Sequence, residues 1–354
     1  MKKSAWLPAA IAPVVVAGAV AAPMIANAAS TPIAGSDPSA ADVIASVAQS
    51  SDAQYSGKVE QTSDLGLPEL PSGSGGSSLQ GDASDALSML TTSHTARLYV
   101  DGAEKQRVQV TTQLAEQDLV RNGSDVWTWD SKERTATHVT LPAHDATPEG
   151  GPATPADLAR QAIDAITPST TVSKPTSTSV AGHDAWSITI TPRSSDTLVG
   201  SVRLAVDQQT GLPLRVTVAA KGQADPAFQV GFTSLDYGAP AARLFDFTPP
   251  SGAEVHTKDL SDAGHAHGDH RGHERSGAGV ATTGSGWDTI AELPAGTADT
   301  SSLGSDGTGL LDQLTRPVDG GRALQTSLVS VYLTNDGRVL AGAVPVSALV
   351  AAAK

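Results

Sequence analysis

A mainly β fold with a minor helical part (α+β), built on one long antiparallel sheet, is predicted by three features. Apolar and polar residues alternate over many short runs, turn-forming residues separate the runs, and only two stretches carry helical periodicity. The alternating pairs and triplets are Leu98 and Val100, Val108 and Val110, Trp127 and Trp129, and Val139 and Leu141 in the first half. Trp186, Ile188 and Ile190 follow, then Val202, Leu204 and Val206, then Leu214, Val216 and Val218, then Phe228, Val230 and Phe232. Intervening positions such as Arg97, Gln109, Thr128, Arg203, Arg215, Thr217 and Gln229 are polar, so one face of the sheet meets water. Asp101-Gly102, Asn122-Gly123-Ser124-Asp125, Asp207 to Gly211 and Lys221-Gly222 are turn signals, and such short connections make a meander.

The first helix opens at Ser39-Ala40-Ala41-Asp42, a capping pattern, and continues through Val43, Ile44, Val47 and Ala48. The second opens at Thr154-Pro155-Ala156-Asp157, carries Leu158, Ala162, Ile163 and Ile166 on one stripe, and stops at Pro168. Two helices are few for so long a sheet, which therefore packs them into its hollow or keeps a cavity. Residues 60–93 interrupt the pattern with Leu65-Gly66-Leu67-Pro68-Glu69-Leu70-Pro71 and a Gly/Ser tract. They read either as a plain polar loop or as a flap over the cavity mouth, with Leu65, Leu67 and Leu70 joining Leu158 and Ile163 as lid residues.

The N-terminus runs from Lys2-Lys3 through an apolar stretch, Leu7 to Ala26, to Ala26-Asn27-Ala28, the order of a secretory signal. Cleavage after Ala28 is the simplest reading; an uncleaved anchor is weaker, because Pro8, Pro13 and Pro23 break the apolar run. The chain has no cysteine, which removes disulfides, thiolate metal sites and the lipid attachment point of a lipoprotein. Its net charge of −14 argues against nucleic acid as a partner.

Residues 257–286 are polar, Gly-rich and His-rich, and read as a linker. Within them His265, His267, His270 and His273 offer imidazoles for weak Zn²⁺, Ni²⁺ or Cu²⁺ binding, though a flexible tract supplies no fixed geometry. The remainder, 287–354, shows one hairpin around Asn335-Asp336-Gly337. So small a unit is expected to dock on the main sheet or on another copy. No Gly-x-Ser-x-Gly, no His-Glu-x-x-His and no phosphate-binding glycine loop is present, so the sequence gives no sign of an enzyme.

Asn122-Gly123-Ser124-Asp125-Val126-Trp127-Thr128-Trp129-Asp130 resembles a hairpin of the LolA and RseB (MucB) superfamily, with Trp129 where a tyrosine is usual. Gly182-His183-Asp184-Ala185-Trp186-Ser187-Ile188, Val202 to Arg215, and Phe245-Asp246-Phe247-Thr248-Pro249-Pro250-Ser251-Gly252-Ala253 are similar to later segments, in family order, over residues 40–256. The tail and composition are similar to actinobacterial relatives; the missing cysteines, the insertion and the tail depart from the carrier pattern. The resemblance implies an open half-barrel of about eleven antiparallel strands with helices in or over its concave face, whose hollow takes acyl chains. It divides the chain into a signal (1–28), a linker (29–38), a lipid-binding domain (39–256), the His/Gly-rich linker and the C-terminal extension.

Trp127, Trp129, Trp186, Ile188, Ile190, Leu204, Val216, Phe228, Val230 and Phe232 are the expected cavity wall, all on one apolar face; plain core packing is the alternative for each. Three functions fit these features. The first is an extracytoplasmic carrier for lipid or lipidated protein. The second is an envelope-stress sensor acting on a membrane-anchored partner. The third is a structural or metal-binding envelope protein with a closed core.

Overall fold

In the computed structural model the first described element is a helix that caps itself. The structure describes residues 38–67, 93–111, 115–141, 169–259, 280–296 and 314–354. The signal, the expected second helix with Leu158 and Ile163, the insertion from residue 68 with Leu70, and the tract holding His265, His267, His270 and His273 lie outside them. Helix α1 (Ala40–Gln49) has Ser39 as N-cap: its hydroxyl accepts from the Asp42 backbone N–H while Asp42 accepts from the Ser39 N–H, a reciprocal capping box.

Six strands follow: β1 (Gln54–Ser63), β2 (His94–Asp101), β3 (Lys105–Thr111), β4 (Glu116–Asn122), β5 (Asp125–Asp130) and β6 (Thr135–Thr140). Then come β7 (Thr170–Val172), β8 (Thr176–Val180), β9 (His183–Pro192), β10 (Val199–Asp207), β11 (Pro213–Ala220), β12 (Phe228–Tyr237) and β13 (Glu254–Asp259). They form one sheet in the order β13-β6-β5-β4-β3-β2-β1-β12-β11-β10-β9-β7, with β8 also on β9. The sheet is open and mostly antiparallel, and it has thirteen strands rather than about eleven. The expected meander holds within β1–β6 and within β9–β12, and the two are joined by β12 pairing with β1. β13 is the exception to antiparallel pairing: after β12 the chain crosses back over the sheet and lies parallel to β6.

The C-terminal residues make more than the single expected hairpin. Strands β14 (Ala281–Thr283), β15 (Ile290–Leu293), β16 (Arg316–Val318), β17 (Gly321–Gln325), β18 (Ser330–Thr334) and β19 (Val339–Gly342) form a second sheet, followed by helix α2 (Val346–Ala352). This module has its own core of Ile290, Tyr332, Leu340, Val344 and Leu349. The additional strands are short, and they pair residues far apart in the chain, such as Glu292 with Leu340, so no local signal announces them.

The module docks on the main sheet. Leu328, Ala343 and Trp287 pack against Ile190, Val202, Val218 and Phe228. The Ala343 carbonyl accepts from the Leu198 N–H (2.7 Å) and the Thr197 hydroxyl (2.7 Å), and the Trp287 indole N–H donates to Thr170 Oγ1 (2.9 Å). The Ser327 N–H donates to the Leu65 carbonyl (2.9 Å), tying the root of the insertion to the module.

Helix α1 packs at a different part of the same sheet, its Val43 fully buried against Ile188, Leu204 and Val206. Its approach depends on Gly211, which has φ +72° and would carry any Cβ into the Ser46 carbonyl. Gly211→Ala is therefore expected to destabilise the protein by about 2 to 4 kcal/mol, from left-handed strain plus displacement of α1. Chemical denaturation of the two proteins measures it; an unchanged midpoint contradicts this placement.

Candidate functional site

Strand register decides which side chains share a face. From Ile188 and Leu204 across β10, β11, β12, β1 and β2, one face carries Trp186, Ile188, Ile190, Leu204, Val216, Phe228, Val230, Phe232, Val59 and Leu98. It continues through Val108 and Val110 to Leu119, Val126 and Val139. Eight of the ten expected wall residues lie on it. Trp127 and Trp129 do not. Trp127 stands opposite Val120 and His138, and Trp129 opposite Asp118 and Ala136, all on the other face. Alternation within β5 reveals that its two tryptophans share a face but not which face; the Asn122–Asp125 turn sets the register that decides it.

Most of the eight are already covered. Ile188 and Leu204, with Trp186 and Val216 beside them, pack under α1. Ile190 and Phe228 pack under the C-terminal module. Phe232 joins Leu212, Leu214 and Leu235 in a third cluster. The β3–β6 part of the same face differs: Val108, Val110, Leu119, Val126 and Val139 belong to no buried cluster among the described residues, and Leu119 is 42% exposed. Half-exposed aliphatic side chains at this density form an apolar surface suited to an apolar ligand. The signal for it in the sequence is Leu119 beside Val120, two apolar neighbours that point to opposite faces and break the alternation of β4. Leu65 and Leu67 are half-buried at the end of β1, where Leu65 packs beside the docked module.

The opposite face is closed over the tryptophans by the chain between β12 and β13. Phe245 is buried there, Phe247 meets the Trp127 ring at 5.5 Å, and His138 stacks on its own side of Trp127 at 4.3 Å. His138 Nε2 is 2.7 Å from Asp125 Oδ1. Arg107 anchors the crossing: its guanidinium bonds Asp118 and donates to the Leu244 carbonyl at 3.3 Å. Asp118 Oδ1 and Arg107 Nε are buried without a partner among the described residues. Burial pushes the Asp118 carboxyl above its ordinary value, with Arg107 opposing.

Among the described residues no three His, Asp or Glu side chains converge as a metal site, and no helix is long and apolar enough to cross a membrane.

Residues 86–256 match the MucB/RseB N-terminal domain family. Solved structures similar to the chain include MucB in complex with MucA(peri), 15% identical, covering 87% of this chain and 95% of that one with a TM-score of 0.43. The Pseudomonas aeruginosa MucA/MucB complex is 16% identical over 87% and 93%, TM-score 0.42. A LolA superfamily protein from Nitrosomonas europaea is 12% identical over 59% and 98%, TM-score 0.24. No curated protein matches the sequence.

Arg107→Met strands the Asp118 carboxylate and is expected to cost about 3 to 5 kcal/mol at pH 7. Because the folded carboxyl titrates above its unfolded value, the stability it contributes is full below the unfolded pKa and lost as pH rises through the folded one. Part of the Arg107→Met loss is therefore regained on acidification toward the carboxylate range. Urea denaturation at two pH values measures this, and a pH-independent loss would contradict it.

Proposed function

We propose, from the premise that the chain is a LolA/RseB-like superfamily member with a MucB/RseB-type domain at residues 86–256, that it binds acyl chains outside the cytoplasm. The proposal needs no catalytic group. The observation that carries it is the half-exposed aliphatic surface of Val108, Val110, Leu119, Val126 and Val139. Each methylene that such a surface takes fully out of water contributes about 0.8 kcal/mol, and a partly covered one less. The expected wall at Trp186, Ile188, Leu204 and Phe228 then serves as the packed floor continuous with that surface, while Trp127 and Trp129 support it from behind.

Two roles use such a site: a carrier of lipid or lipidated protein, and a regulator that reports occupancy to a membrane-anchored partner. The docked C-terminal module favours the regulator, since it rests on the same face as the ligand surface and gives occupancy a second body to act on. The secretory signal, with a mature N-terminus at Ala29, belongs to the same proposal.

Leu119→Glu places a carboxylate on the proposed surface and should abolish binding of a fluorescent fatty acid probe while leaving folding nearly intact, because Leu119 is 42% exposed. Trp129→Ala, on the other face, should instead lose about 1 to 3 kcal/mol of stability and retain probe binding. Probe titration and thermal melts of both variants decide it. Full binding by Leu119→Glu removes the acyl site from this face.

A further inference from the structure

On the polar face, across the sheet from the acyl surface, a groove of about 360 Å³ is lined by Lys58, Thr95, Arg97, Gln109, Thr111 and Glu116. Lys58 and Arg97 are direct cross-strand partners. Like charges in that position repel and destabilise a sheet unless something between them offsets the repulsion. Neither cation forms an ion pair among the described residues. Glu116, the carboxylate in the groove, is held by the Gln109 amide.

A second observation lies two strands away. Arg215 lies flat over Gly231, whose position would bring a Cβ to 2.9 Å from Arg215 Cγ, and Gly231 is the cross-strand partner of Glu60 on β1. The Arg215 Nε is buried without a hydrogen-bond partner among the described residues. With Arg203, this face holds four cations on β1, β2, β10 and β11, with Glu60, Asp101 and Asp207 on the same strands and Glu116 on β4, in a chain whose net charge is −14. Within the groove itself two cations meet one carboxylate, and the threonine hydroxyls beside them are neutral donors.

We infer that this groove binds a phosphate-type oxyanion between Lys58 and Arg97, with Thr95 and Thr111 as hydroxyl donors. The guanidinium fork and the ammonium match the several oxygens of a phosphate group, and a groove of this volume fits a group of headgroup size. Free phosphate and the headgroup of an anionic phospholipid share that chemistry. The site stands apart from the acyl surface, because the sheet lies between them.

The test uses the mature full-length protein at low ionic strength, where exposed charges are least screened. Inorganic phosphate is titrated by calorimetry into wild type, Lys58→Gln, Arg97→Gln and, as a control on the C-terminal module, Arg316→Gln. Flotation with phosphatidylglycerol and with phosphatidylcholine vesicles runs in parallel. Saturable phosphate binding weakened at least tenfold in Lys58→Gln and Arg97→Gln, unchanged in Arg316→Gln, and accompanied by an equal or higher Tm in Lys58→Gln, supports the site. Loss of phosphatidylglycerol flotation in the same two variants identifies the headgroup as the source; vesicle-independent binding identifies free phosphate. Absence of saturable binding in wild type, or binding retained in both variants, overturns the proposal. A lowered Tm in Lys58→Gln with phosphate binding retained shows a structural ion pair and overturns it too.

Discussion

The pairing of β1 with β12 is the constraint on which the rest depends. It joins Tyr55–Ser63 to Phe228–Tyr237, residues more than 160 positions apart, and fuses two meanders into one sheet. The register shifts between Lys58 and Val59, so that Thr233 is an extra residue on β12 and the strand bends without losing its apolar side. Phe232 and Leu235 therefore both stay on the face of Val59 and Gly57. Long-range pairing of this kind orders a long loop before any contact rewards it, and once formed it holds both meanders together.

The same seam sends the chain to opposite faces. Just before β1 the chain is α1, which covers Ile188, Leu204 and Val206 on the apolar face. Just after β12 it is the crossing segment, which covers Trp127 on the other face and is gripped by Arg107. Among the described residues, a sheet this wide has too little helix to bury both sides. It is instead covered in patches, and the patches leave Leu119 and its aliphatic neighbours half in water.

Local chemistry was legible in the sequence, and non-local registration was not. The Ser39–Asp42 capping box, the Asn122–Asp125 turn and the alternation of β9 to β12 each rest on residues within a few positions, and each appears where the sequence places it. The face of Trp127 and Trp129 depends on how β5 registers against β4, and a one-residue offset sends a whole strand to the other side. The six-stranded C-terminal sheet was hidden for a related reason, because strands of three to five residues carry too few alternations to be read. The candidate surface was half legible: Val108, Val110 and Val139 read as strand residues, but covered and open parts of one apolar face look alike until the covering elements are in place.

Aliphatic exposure on β3–β6 and the docked module on β9–β12 belong to one continuous sheet face, and this makes the two-part architecture more than an accretion. Ser327 of the module holds the Leu65 carbonyl, and Leu65 packs into the same cluster as Leu328 and Ala343. The end of β1 is thereby shared between the ligand-side sheet and the module. A ligand that alters the packing near β1 and β2 acts on a strand whose far end is fastened to a second body. Coupling between two sites requires that each ligand favour one arrangement of a common element, and in the proposed function β1 is the element both would share. A simple carrier needs an apolar surface and a mouth; it has no use for a second sheet buried against the floor of its own site. In the proposed function, the docking contact is what favours regulation over transport.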